Sequence, residues 1–405
     1  MLTFIRENGR WLGAGFLLTL ASSFGQTWFI SLFATEIKLE FGLTDGTWGS
    51  LYTAATLSSA LLMFLLGSLV DRIPLVRFAP VMTVLFAIAA LGFSFSSSIL
   101  FLGFFLFLLR FCGQGMFSHI AMTAMGRWFH ATRGRAVSIA NLGHPFGEVV
   151  IPLIAVFAIA TIGWNATWMI VAAMLLILVG PGLWWMLSHD RSPQGSRLDE
   201  LPHGSGGKHW TRSEAVKHWL LPALIPMLLT PGFISTVVFF HQAHIADVKG
   251  WSLMEMAPGY SFFATATVGA TFLVGWMSDR FGADRLLPYI LIPMGLGVLF
   301  IGLGAPVWSW YASLALCGLT QGASGAFWGV FLPVAYGTRY LGAIRSLATT
   351  VMVFSTAIGP GLTGLLIDGG IPFPVQSFAM SLWCILFSMV GLVIMRRMKR
   401  EADAA

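Results

Sequence analysis

The chain has 405 residues, of which 57% are hydrophobic and 10% charged, and its mean hydropathy is +0.80; soluble domains carry about a quarter charged residues, so a water-soluble protein is excluded. Twelve membrane helices of ~20 residues would occupy ~240 positions, which leaves no room for a long soluble domain. The formal net charge of +6 would point to nucleic acid in a soluble protein, but here its distribution between apolar blocks matters more than its sum, and no nucleic-acid partner is expected.

In chain order the apolar blocks run over 11–34, 47–70, 78–97, 99–122, 136–160, 165–187, 218–243, 257–278, 286–304, 307–332, 346–367 and 374–395. Each is read as a membrane helix. The first follows Arg6 and Arg10 but is too long for a signal-peptide core and lacks a small-residue cleavage site, so it is expected to remain as the first span. Of the 23 Lys and Arg residues, 20 fall on one side of this pattern, only Lys38 and Lys249 on the other, and Arg110 inside a span. The positive-inside rule then makes both termini and the long central segment cytoplasmic, in what is expected to be a bacterial inner membrane. Cys112, Cys317 and Cys384 all lie within apolar blocks, which supplies neither a disulfide framework nor a metal cluster. No metal or cofactor is expected.

Residues 188–217 form the one long polar stretch, with Ser192-Pro-Gln-Gly-Ser196 and Gly204-Ser-Gly-Gly207, and read as a flexible linker. It separates two halves, 1–187 and 218–405, that repeat. A displacement of 208 residues superposes Gly42 on Gly250, Tyr52 on Tyr260, Gly67 on Gly275, Asp71 on Asp279 and Arg72 on Arg280. With small changes of offset, Gln114-Gly115 answers Gln321-Gly322, and Gly143-His144-Pro145 answers Gly359-Pro360. The fold class expected is an all-α membrane protein of twelve transmembrane helices in two six-helix halves. Duplicated halves suggest alternating access about a site near the bilayer midplane.

The segments Gly67-Ser-Leu-Val-Asp71-Arg72, ending in Arg77, and Gly275-Trp-Met-Ser-Asp279-Arg280-Phe-Gly282-Ala-Asp-Arg285 resemble the two copies of the signature loop of the major facilitator superfamily. The resemblance covers essentially the whole chain, and the first copy carries Pro74 where a glycine is usual. It implies a cytoplasmic gate in which Asp71 and Asp279 pair with nearby arginines and helix ends. A second resemblance lies in His241-Gln-Ala-His244-Ile-Ala-Asp247-Val-Lys-Gly250-Trp-Ser252, which is similar to the corresponding segment of bacterial monocarboxylate-transporter-like carriers and their oxalate/formate relatives. Those carriers place an arginine on helix 8, whereas this chain offers Thr265, Thr267 and Thr271 there. His241 and His244 fall at the outer end of helix 7, at an external gate or as an interfacial pair.

Charge at bilayer depth costs several kcal/mol, so a retained charge usually has a partner and a function. Only Arg110 in the fourth block and Glu148 in the fifth lie well inside a span. Counted from the loop between their helices they reach similar heights, which admits a direct or water-bridged pair. Arg110 shares a helix face with Gln114 and Ser118, and Glu148 with Asn141 and His144, by spacings of three and four. Arg110-Phe-Cys-Gly-Gln-Gly115 resembles the superfamily's helix-4 motif, whose arginine is associated with proton coupling or substrate binding. Gln26 in helix 1 and Gln321, Ser324 and Trp328 in helix 10 complete the candidate cavity residues, with helix–helix hydrogen bonding as the alternative. Arg110 and Glu148 are either a coupling pair or a permanent ion pair.

These readings converge on a secondary transporter in the lipid bilayer that moves a small organic solute, favoured as a small organic acid, with protons as the coupled ion. The alternatives are an efflux carrier for neutral or cationic amphipathic compounds, with Glu148 as the recognition group, and a receptor or assembly factor that keeps the fold without transport. No nucleotide-binding motif supports a primary pump, and no nucleophile with a base or paired acids supports an enzyme.

Overall fold

A backbone in hydrocarbon must satisfy its own polar groups, so apolar blocks of this length become helices. The computed structural model describes residues 2–67, 69–129, 132–188, 210–337 and 341–403, and helices are its only regular elements among the described residues. Ten stretches are long and apolar enough to span a bilayer by themselves, and an eleventh is a broken pair. One of the ten, Arg135–Leu187, has 53 residues, about 80 Å of helix against a hydrocarbon core of ~30 Å. Gly163 (φ 81°, ψ 167°) interrupts it, in a region of φ open to glycine but not to L side chains. Asn165 Nδ2 next to it donates to the Ser94 carbonyl, and Ser94 Oγ to the Asn165 carbonyl. Trp164 Nε1 donates to Glu40. The break therefore lies level with the ends of two other spans, and the stretch counts as two.

The twelve spans are α1, itself broken into Phe4–Gly25 and Thr27–Phe41 with a 42° bend; α2 Asp45–Leu66; α3 Leu75–Ser94; α4 Ile99–Gly126; α5 135–162; α6 164–187; α7 Leu220–Phe240; α8 Leu253–Ser278; α9 Asp284–Leu303; α10 Trp308–Tyr336; α11 Thr350–Asp368; and α12 Phe373–Glu401. The chain divides into two units, Met1–Arg197 and Leu198–Ala405. In the first, Trp168 of α6 is buried among Phe29, Phe33 and Phe93, with ring centroids 5.0–5.2 Å away. Glycines set the closest helix approaches. A Cβ on Gly143 or Gly147 of α5 would meet Thr19 Oγ1 at 2.2 Å or Ser23 Oγ at 2.4 Å on α1. In the second unit α8 and α10 touch through backbone, since a Cβ on Gly318 would lie 2.3 Å from the Phe263 carbonyl and one on Gly322 2.0 Å from that of Thr267.

The repeat also shows in how the elements end. Gly42 (φ 63°) and Gly250 (φ 70°) are left-handed helix caps 208 positions apart. The next helices open on Thr44 and Ser252, each in a reciprocal capping box with the residue three positions on. Such a box satisfies two backbone donors that the first helical turn leaves open. Of the polar segment 188–217, residues 189–209 lie outside the described residues; Arg212–Lys217 is a short helix capped by Thr211 and Glu214.

Candidate substrate and coupling site

The site in the first unit is built around the break in α1. Ser22–Gly25 tightens into a 3-10 turn, and Gln26 then leaves the helical region at φ −82°, ψ 152°. Ser22 Oγ donates to the Thr19 carbonyl at 2.7 Å, a local competitor to helix propagation. Gly25 fits because a Cβ there would lie 2.4 Å from the Leu109 carbonyl and 2.7 Å from Gly113 Cα of α4. At that contact α4 is itself irregular, with Arg110–Phe117 forming a π-helical segment. Such segments inside α-helices concentrate at functional positions.

Arg110, the first residue of the segment, is fully buried. Its Nη1 donates to the Gly25 carbonyl at 2.9 Å and to Thr27 Oγ1 at 3.4 Å, and its Nε donates to Thr56 Oγ1 at 3.3 Å. The guanidinium carbon stands 5.0 Å from the centroid of the Tyr52 ring, and the Tyr52 hydroxyl shares a 2.5 Å hydrogen bond with Thr27. Nη2 is buried without an acceptor among the described residues. A cation is thus held by a broken helix, two threonines and an aromatic face, with no carboxylate paired to it among the described residues. Buried charges are ordinarily paired, so this arrangement is poised to receive an anionic or strongly accepting group.

Glu148 is half-buried on α5, and among the described residues no ion pair joins it to Arg110. The direct pair admitted by the sequence is absent from this structure. His144 Nδ1 lies 3.3 Å from Ser22 Oγ; since that hydroxyl gives its proton to Thr19, the imidazole donates here and carries its hydrogen on Nδ1. Asn141 is exposed, and Gln114, Ser118 and Gln26 are half-buried.

In the second unit Gln321 is half-buried and accepts from Ser235 Oγ of α7 at 3.4 Å. Ser324 is buried with no hydrogen-bond partner for its hydroxyl among the described residues, and Trp328 is buried edge-on against Phe327 and Phe331. The α8 threonines are less available: Thr267 and Thr271 donate to carbonyls one turn back and Thr265 is exposed. His241 is buried, with Nε2 2.7 Å from Thr363 Oγ1 of α11. Thr363 donates to the Gly359 carbonyl, so His241 is the donor to it. His244 Nε2 accepts from the Phe373 amide at 3.4 Å. The two histidines therefore tie the end of α7 to α11 and the start of α12.

Arg72, Arg77, Arg280 and Arg285 of the signature loops are exposed, and Arg280 lies over Trp276 and Phe281 at 5.4 and 5.6 Å. The Asp71 and Asp279 side chains, and with them the expected ion pairs, fall outside the described residues. Gly67 ends α2, and Gly275 is half-buried within α8. No cluster of three or more His, Cys, Asp or Glu suited to a metal occurs among the described residues. Sequence reasoning passed over Gly25, Thr27, Thr56 and Tyr52 as partners of Arg110. Only Tyr52 carried a signal, its superposition on Tyr260, whose hydroxyl is also hydrogen-bonded to a helix side chain, donating to Gln242 Oε1 at 2.6 Å.

Residues 15–360 match the family model described as Major Facilitator Superfamily. The chain belongs to that superfamily. It is similar to the MFS transporter asaE of Aspergillus flavus (29% identity over 51% of this chain and 44% of that protein). Similarity extends to monocarboxylate transporter 11 of Homo sapiens (28%, over 71% and 63%) and to the membrane sensor protein UhpC of Escherichia coli (25%, over 77% and 73%). The alignments thus span about half to two thirds of the first two relatives' lengths. Among solved structures, a bacterial homolog of the human lysosomal transporter Spinster, in an inward-facing and unoccupied conformation, shares the fold with a TM-score of 0.73 at 17% identity, over 97% of this chain and 98% of that one. Fold and family together make this superfamily member an integral membrane protein.

Proposed function

We propose that this protein is a secondary transporter that carries a small organic acid through the membrane by alternating access of its two halves, coupled to protons. The observation that carries the reading is Arg110: a fully buried cation beside a carbonyl at a helix break, with neither a carboxylate partner nor an acceptor for its Nη2 among the described residues. A substrate carboxylate would take Nη2 and compete with Gly25 for the guanidinium, in the bidentate geometry that arginine favours. Glu148, which makes no ion pair among the described residues, would carry the coupled proton. The likeness to a monocarboxylate transporter supports the substrate class, and the asymmetry of basic residues supports cytoplasmic termini in a bacterial inner membrane. The signature loops at 67–77 and 275–285 would gate the cytoplasmic side, and the His241 and His244 ties the outer side.

The test is proton flux in proteoliposomes with a pH-sensitive dye inside, screening small organic acids against the wild type, Glu148→Gln and Arg110→Gln. Acid-dependent proton entry in the wild type, lost in both variants, is expected. Exchange of labelled acid that survives in Glu148→Gln would assign that residue to the proton alone. Acid transport unaffected by Arg110→Gln would overturn the substrate site. The likeness to a membrane sensor protein favours a second reading, a receptor that keeps the fold, and this would show ligand binding without flux of either species.

A further inference from the structure

The first glycine of a signature loop lies on α2 and the buried arginine on α4, yet the stretch of α4 that begins at the arginine reaches both the break in α1 and that glycine. On one side of the π-helical segment, Gly113 packs against Gly25 at the break in α1. On the other, Gly115 receives Met63 of α2, whose Cγ would lie 2.8 Å from an added Cβ. Two residues beyond the segment, His119 Nε2 lies 3.0 Å from the Gly67 carbonyl, the point where α2 gives way to the signature loop. A carbonyl only accepts, so His119 donates, and it does so as the Nε2–H tautomer or as the cation.

We propose that His119 is the positioning residue of the signature loop at Gly67, and that the π-helical segment between it and Arg110 carries the state of Arg110 to that loop. A π-helical turn packs in residues that an α-helix would spread along its axis, so any change in the segment shifts and rotates His119 relative to Arg110. Arg110 holds the segment's first turn to the broken α1 through Gly25. A group that takes the guanidinium from Gly25 frees that turn, and the hold on Gly67 changes with it. The proposal rests on the carrier reading only for what occupies Arg110.

The native cysteines are all buried, so a single introduced thiol reports local exposure. Maleimide labelling of Ile73→Cys, in the loop, is measured in proteoliposomes without solute, with Leu39→Cys at the far end of α1, 79% exposed, as the folding reference. H119L is expected to speed Ile73→Cys labelling about fivefold, the worth of one net hydrogen bond, while H119Q, whose amide nitrogen reaches the Nε2 position, stays within about twofold of wild type. R110Q is expected to speed labelling comparably in the His119 background and to add nothing on H119L, as for coupled sites. Wild-type rates in H119L, equal rates in H119Q and H119L, or multiplying effects of R110Q and H119L would each overturn the proposal. If H119L also speeds Leu39→Cys labelling and so unfolds the half, H119N decides. Its shorter amide reaches only the Nδ1 position, and rates equal to those of H119Q overturn the proposal. Because labelling needs no solute, the expected pattern in a protein that moves none would overturn the transport reading alone.

Discussion

Gly25→Ala is the sharpest perturbation of the Arg110 site because it touches no functional group. The new methyl would lie 2.4 Å from the Leu109 carbonyl and 2.7 Å from Gly113 Cα. Both obstacles are backbone, so no side chain can swing aside. Restoring ordinary contact near 3.4 Å requires α1 to retreat from α4 by about 1 Å, and the Arg110–Gly25 hydrogen bond of 2.9 Å then stretches beyond bonding range. Losing a charged hydrogen bond costs about 1.5–3 kcal/mol and the residual overpacking about 1–3 kcal/mol, so a destabilisation of roughly 2.5–6 kcal/mol is expected. Gly9→Ala supplies the control on the same helix. Gly9 is exposed, with nothing within 4 Å of its added Cβ, and the substitution should stabilise by up to about 1 kcal/mol through helix propensity. The assay is reversible SDS unfolding in mixed micelles, followed by tryptophan fluorescence. A Gly25→Ala cost below about 1 kcal/mol, or one matched by Gly9→Ala, would refute the claim that the glycine exists for the close approach.

The same contrast should recur in α10, where Gly322→Ala drives a methyl to 2.0 Å from the Thr267 carbonyl while Gly325→Ala enters open space; in the same unfolding assay the first is expected to be destabilising and the second neutral or stabilising. Tyr52→Phe keeps the ring under the guanidinium and loses the hydroxyl with its bond to Thr27, a cost of at least about 0.5–1.5 kcal/mol. Tyr52→Leu should cost about 2 kcal/mol more through the lost cation–π contact. Equal costs would show that the ring does not hold Arg110. At the start of the second unit, His218 sits 4.5 Å from the Trp210 ring. Burial holds its pKa below the ordinary 6.5, Arg397 adds to the depression and Glu401 opposes it. The docked imidazole therefore binds fewer protons than the released one, and docking is fully present above that ordinary value and weakens as pH falls through it. Exchange protection of amides 211–219, corrected for intrinsic rates, should drop between about pH 7.5 and about pH 5.5 in the wild type and stay flat in His218→Gln.

How far the sequence was legible follows from what each signal measures. Hydropathy reports length in hydrocarbon, and the spans follow it. It is blind to breaks that keep the chain apolar, so the block 11–34 gave no sign of the turn at Ser22–Gln26. Gly163, in contrast, sits in the short gap between the blocks at 136–160 and 165–187, where the connection can only be a tight turn. The 208-residue displacement was legible because caps repeat with their geometry: Gly42 and Gly250 both adopt positive φ.

The Arg110 and Glu148 reading shows where counting residues stops. A rise of ~1.5 Å per residue gives height alone, and the heights do agree: Arg110 meets α1 at Gly25 and Gly147 meets it at Ser23. Pairing needs azimuth as well, and azimuth was set by two features outside any periodicity. Gly143 and Gly147 turn one face of α5 onto α1, and on a helix of 3.6 residues per turn this carries Glu148 about 100° away from that contact. The π-helical segment starts at Arg110 itself, which voids the three- and four-residue spacing used to align Arg110 with Gln114 and Ser118. Released from that face, the guanidinium turns to the Gly25 carbonyl at the break, 2.9 Å away, and to the Thr27 and Thr56 hydroxyls. The irregular stretches of α1 and α4 therefore meet: α1 breaks where the Gly25 carbonyl accepts from Arg110, and the π-helical segment of α4 begins at that same arginine and packs Gly113 against Gly25.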